Sequence, residues 1–249
     1  MTEPEWLVSA DPDQMLTFLG ERGAPDVRKL KLFGAACVRR FWSRLTDARG
    51  RRAVALADEY IEGRASRREV AEAALEALEA SAEDGLDYRP SWHQRLRSFG
   101  WLAGRNRARL QIAILAYLPQ SLASCVQAVP DNVVARATFL AKVAGMLDTA
   151  EAQAQASLLR EIVGDPFHPG PATKADRLAG CNGSVVTLAR AAYEERRLPE
   201  GTLDLARLAV LADALEDAGC ADGELLGHLR GPGVHVRGCW ALDLLLGQE

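Results

Sequence analysis

Residues 66–84, SRREVAEAALEALEASAED, decide the fold class. Ser66 and Glu69 stand three positions apart, the spacing at which a hydroxyl and a carboxylate satisfy each other's backbone N–H groups at a helix start. After them Val70, Ala73, Ala74, Ala77 and Leu78 recur at three- and four-residue steps, which lays one apolar stripe along a helix. The same bias holds across the chain. Ala and Leu dominate the 48% hydrophobic content while aromatic residues make up 6%, a balance that favours helices over a pleated sheet.

Upstream, Thr46-Asp47 caps a helix that ends at Gly63. Before it, a helix opens near Pro25-Asp26 and runs through LKLFGAACVRRFWSRL, with Leu30, Phe33, Cys37, Phe41 and Leu45 on one side. The first helix starts at Asp11-Pro12 and stops at Gly23. Downstream, DGLDYRP at 84–90 breaks the pattern. RARLQIAILAYLPQSLASCVQAV is apolar on nearly all sides, so it reads as a central buried helix split at Pro119. Pro130-Asp131 starts the longest helix, which ends at Gly164.

Residues 165–183, DPFHPGPATKADRLAGCNG, are linker-like. They divide a helical domain over 1–164 from a C-terminal helical subdomain over 184–249, or lie inside one continuous domain. Four more helices follow, with Ser184, Thr202 and Asp222 as first-turn or cap residues. The expected architecture is all-α: a multi-helix bundle or a short α-solenoid-like stack.

A chain of 249 residues with this apolar content can bury a sizeable core. Its acidic start, MTEPEWLVSADPDQ, lacks a charged-then-apolar leader pattern, and no run of eighteen apolar residues occurs. A cytoplasmic protein without a membrane partner is therefore expected. Five widely spread cysteines (Cys37, Cys125, Cys181, Cys220, Cys239) argue against a disulfide framework. No phosphate-binding G-x-x-x-x-G-K-[ST] loop, H-E-x-x-H helix or kinase-like set is present.

Net charge is −4, but the charge is segregated. Residues 22–52 carry ten basic side chains against two acids, and residues 58–87 carry ten acids against three arginines. Adjacent helices of opposite sign neutralise each other when packed antiparallel. The alternative is a nucleic-acid surface over segments 39–52 and 95–109, where Arg39, Arg40, Arg44, Arg95, Arg97, Arg105, Arg107 and Arg109 interleave with Phe41, Trp42, Phe99 and Trp101.

The last thirty residues concentrate the chemistry. Cys220, His228, His235 and Cys239 form C-x7-H-x6-H-x3-C around the turn Gly231-Pro232-Gly233, with residue types suited to tetrahedral zinc and a spacing unlike common knuckles. His235 and Cys239 read as neighbours on one helix face. The other reading is a packed helix pair with buried cysteines, in which Arg230, His235 and Arg237 face a partner.

The blocks TEPEWL, DPDQMLTFL, LKLFGAACVRRFW, LLREIVGDPFHP, VVTLARAAYEERR, LADALEDAGC and HLRGPGVHVRGCWALDLLLG together resemble a bacterial all-helical family. That resemblance implies a helical fold and carries no assigned activity. The final block is also similar to one HEAT-type helical hairpin, which would place Val236, Arg237, Cys239, Ala241, Leu242 and Leu245 on a second helix. The expected function is a non-catalytic helical protein that binds or scaffolds another protein, without a cofactor. Nucleic-acid binding, or a zinc- or thiol-dependent role for the C-terminal Cys/His group, are the alternatives.

Overall fold

A computed structural model of the protein describes residues 1–22, 26–83, 118–119, 121–128, 130–146, 150–168 and 183–248. Among the described residues the fold is all-α, with two isolated β-bridges, Arg197 to Thr202 and Thr202 to Val236, and no sheet. None of their helices is long and apolar enough to cross a membrane. The chain forms two compact units, one of Ala10–Gln155 and one of Met1–Ser9 with Ala156–Glu249.

In the unit Ala10–Gln155, the helices start where the caps require. Helix α2 (Pro12–Glu21) is capped by Asp11, whose carboxylate accepts from the N–H groups of Asp13 and Gln14. Asp26 caps α3 (Val27–Arg39) and Asp47 caps α4 (Ala48–Ile61) in the same way. Helix α5 (Arg67–Glu83) carries the Ser66–Glu69 box: Ser66 N–H donates to Glu69 at 2.7 Å and Glu69 N–H to the Ser66 hydroxyl at 3.2 Å. Val70, Ala73, Ala74 and Ala77 are buried as the stripe implies, and α5 packs along α4.

Two helices are shorter than their apolar patterns suggest. Helix α3 ends at Arg39, and Trp42–Arg44 form a separate 3-10 turn. The Arg51 side chain donates to the Leu45 carbonyl and so closes this turn against the start of α4. The span 130–164 is likewise two helices, α6 (Pro130–Gly145) and α7 (Glu151–Val163). Gln155 shows that the two are not one straight helix: its amide donates to the Ala141 carbonyl at 3.0 Å. Fourteen residues of straight helix would hold those groups about 21 Å apart.

Opposite charges meet as neighbouring helices allow. Arg39 and Asp58 form a buried pair, Arg52 reaches Glu76 at 2.6 Å, and Arg40 reaches the buried Glu151 at 3.0 Å. Arg44 lies over the Phe41 ring. Within the basic segment 39–52, Arg39 and Arg40 are thus committed to carboxylates. The second arginine segment, with Arg95, Arg97, Arg105, Arg107 and Arg109, lies outside the described residues, as does most of the expected central helix.

The other unit joins the two ends of the sequence. A short helix α1 (Glu3–Val8) is held by a Thr2–Glu5 capping box, a signal present in the sequence that six residues could not support with a periodic stripe. Trp6 is 1% exposed, and its indole donates to the Gly164 carbonyl. Arg160 donates to the carbonyls of Trp6 and Ser9, both at 2.9 Å. These bonds put residues 1–9 with the C-terminal helices, and the boundary between the two units falls inside α7. Residues 169–182 of the linker-like stretch lie outside the described residues.

Helices α8 (Gly183–Glu194), α9 (Leu205–Asp217), α10 (Gly223–Leu229) and α11 (Trp240–Leu246) pack around Leu208, Leu211, Leu215, Leu225 and Leu242. Asp204 and Asp222 cap α9 and α10 through their carboxylates, whereas Thr202, an expected cap, pairs instead with Arg197 and Val236. The HEAT-like expectation needs one correction. The second helix opens at Trp240, not at Val236-Arg237, because Gly238 has φ +90°, which breaks helical geometry.

Candidate metal centre

Four polar side chains converge inside this unit. Glu161 comes from the last turn of α7, His228 from the end of α10, His235 from the segment between α10 and α11, and Cys239 is the cap residue of α11. One donor atom from each lies within 4.8 Å of the other three. Glu161 Oε1 is 3.1 Å from His235 Nδ1, and Oε2 is 3.3 Å from His228 Nε2. His228 Nε2 is in turn 3.2 Å from Cys239 Sγ.

The connecting segment, not helical spacing, brings His235 and Cys239 to this point. Gly231 N–H donates to the His228 carbonyl at 3.0 Å, and a side chain on Gly231 would meet that same oxygen at 3.1 Å. The chain then returns through the Thr202–Val236 bridge, with Leu203 N–H donating to the His235 carbonyl at 2.8 Å. Glycine at 231 and the bridge at 236 therefore fix where the His235 ring sits.

Burial makes the electrostatics strong. Glu161, His235 and Cys239 are all buried, whereas His228 keeps 19% of its side chain exposed. Burial alone would push the Glu161 carboxyl up, but hydrogen bonds from His228 and His235 outweigh it and hold the group below its usual range. Burial alone would push His235 down, but the bond to Glu161 and its charge outweigh that and raise it. Burial, then the nearby Glu161 charge, push the Cys239 thiol well up.

These donors suit a transition-metal ion. Zinc bonds of about 2.0–2.3 Å set tetrahedral edges of roughly 3.3–3.8 Å; three of the donor separations, 3.1, 3.2 and 3.3 Å, lie at or just below that range, and all lie within 4.8 Å. Two imidazoles, a thiol and a carboxylate match zinc better than an oxygen-preferring ion. His235 has the outer support of a metal ligand: its Nε2 lies 3.4 Å from the Gly231 carbonyl, leaving Nδ1 toward the cluster.

A nucleophilic thiol fits less well. In a thiol–imidazole–carboxylate relay the carboxylate holds the ring nitrogen opposite the thiol. Here Glu161 and Cys239 face the same nitrogen of His228, while its Nδ1 accepts from the Trp240 indole at 3.2 Å.

Of the expected ligands, the structure brings together His228, His235 and Cys239, and replaces Cys220 with Glu161. Cys220 packs half-buried against the leucine core. Glu161 left one trace in the sequence: it stands between Leu158 and Ile162, both buried, so a carboxylate occupies the apolar face of α7. Of the expected partner-facing residues, only Arg230 is at the surface, bonded to Asp213 and Glu216. His235 is in the cluster, and Arg237 is buried with its guanidinium over the Tyr193 ring. A second group, Glu3, Asp165 and His168, is more open, and Asp165 already serves there as a local cap for the N–H groups of Phe167 and His168.

Trp240 ties the cluster to the end of α7. Gly164 has φ +75°, and a Cβ there would stand 3.0 Å from Trp240 Cγ. Gly164→Ala is therefore expected to cost about 2–4 kcal/mol, from left-handed backbone strain plus overpacking. Urea unfolding measures this, and a loss below about 1 kcal/mol would contradict the seating of Trp240 described here.

No protein-family model, curated protein or solved structure matches this chain.

Proposed function

We propose that the protein is a helical zinc-binding protein in which the ion is held by Glu161, His228, His235 and Cys239 and clamps the C-terminal unit. The observation that carries this reading is the convergence of four donor atoms of zinc-compatible type from four separate chain segments, each within 4.8 Å of the others. A full set of four protein donors is the pattern of structural zinc rather than of a site with an open position. Binding would join the end of α7 to α10 and α11, so that metal affinity and the stability of the unit are linked.

Elemental analysis of purified, dialysed protein tests it directly, with one zinc per chain expected. Cys239→Ala should weaken zinc binding by at least about 100-fold, since losing even an outer-shell partner costs 10–100-fold. Cys220→Ala should leave it unchanged. Substoichiometric zinc in the wild type, or equal loss in the two variants, would sink the proposal.

A further inference from the structure

We infer that Trp240 opposes metal capture by His228, so that the hydrogen bond between them is broken when the ion binds. This rests on the zinc reading above and concerns how that site is regulated.

The argument follows from donor and acceptor roles. The Trp240 indole has one N–H and no acceptor, and it points at His228 Nδ1 at 3.2 Å. A neutral imidazole that accepts at Nδ1 carries its proton on Nε2. That is the nitrogen facing Glu161 at 3.3 Å and Cys239 at 3.2 Å, where the N–H has acceptors waiting. The metal-free arrangement is therefore self-consistent: indole to Nδ1, Nε2–H to the carboxylate or the sulfur.

Zinc needs the Nε2 lone pair. The proton on Nε2 must leave, and the one proton of a neutral ligating imidazole then sits on Nδ1. Two N–H groups would now face each other across 3.2 Å, and either the indole or the imidazole has to turn. His235 meets no such conflict: ligation takes the Nδ1 proton that it gives to Glu161, and the proton it keeps on Nε2 lies toward the Gly231 carbonyl. Of the two imidazoles, only His228 must place its remaining proton against another donor.

The indole is also hard to displace. Its Cγ, Cβ and Cδ1 fill the space where a Gly164 side chain would be, and the rings of Trp240 and His228 lie 4.8 Å apart at 50°. Trp240 thus acts as a positioning residue that holds His228 in its metal-refusing form, and the ion has to overcome one neutral hydrogen bond. Breaking such a bond corresponds to about fivefold in affinity.

The sign of one mutation separates this from an ordinary supporting role. An outer residue that orients a ligand weakens binding when removed. Trp240→Phe keeps a ring against Gly164 and removes the N–H, so it is expected to bind zinc about fivefold tighter than wild type in competition with a chromophoric chelator. A second measurement needs no variant. In 15N-labelled wild-type protein, the Trp240 indole resonance, assigned through its proximity to the His228 ring protons, is expected to move upfield as zinc is added. If wild type takes up zinc but the indole signal stays in place, or Trp240→Phe binds equally or more weakly, the inference is overturned and the zinc site stands. If wild type takes up no zinc, the site itself is refuted.

Discussion

The affinity of this protein for zinc is expected to rise at least about 100-fold between pH 6 and pH 8, and most steeply at the acid end. Each proton that an ion must displace contributes about a factor of ten per pH unit while the group stays protonated. The Cys239 thiol is pushed well above its ordinary value by burial and by Glu161, so it holds its proton over the whole interval. His235 is raised against its burial by the same carboxylate, and below its raised value it adds a second displaced proton. Glu161 is held low by its two histidines and is ionised throughout, so it adds no slope. Isothermal titration in buffers of different ionisation enthalpy gives both the affinity and the protons released. An affinity that does not change with pH would mean that the ion is held elsewhere.

Asp58→Ala is expected to destabilise the unit Ala10–Gln155 by about 3–5 kcal/mol, the cost of leaving a buried charge without its counter-ion. Arg39 Nε donates to Asp58 Oδ2 at 2.8 Å, its Nη2 bonds the same oxygen, and both residues are almost fully enclosed. The Arg39 guanidinium also lies 5.2 Å from the Trp42 ring centroid, which fixes the group but cannot replace a carboxylate. Hydrogen exchange at the amides of α3 and α4 locates the loss in this unit. Replacing both members, Arg39→Met with Asp58→Leu, should recover most of the stability, since the buried charge is then gone. A loss under about 1 kcal/mol in the single variant would show that the guanidinium finds another route to solvent or charge.

The helices were legible wherever a cap and a stripe coincided. Asp11, Asp26, Asp47 and the Ser66–Glu69 pair each announced a start that the structure has. Breaks inside apolar runs were harder to see. The break between α6 and α7 is marked by Gln155 meeting Ala141, and the end of α3 by Arg51 meeting Leu45, contacts that no local periodicity encodes. The candidate site shows the same limit. His228, His235 and Cys239 stood close together in sequence, and their chemistry singled them out. Glu161 lies 67 positions before His228 and entered only when α7 packed beside the C-terminal segment. Cys220 had the right chemistry and the wrong place: its N–H bonds back to Leu215, and its side chain joins the leucines.

Residues 1–9 belong with 156–249, which has a consequence for the order of events during synthesis. The segment carrying Trp6 leaves the ribosome well before its partners Arg160 and Gly164, which follow more than 150 residues later. Residues 10–155 can complete their own packing in that interval while Trp6 waits unburied. A fragment beginning at Ala156 would lack the indole that occupies this position, and a separate peptide spanning residues 1–9 is the piece that should restore it in trans.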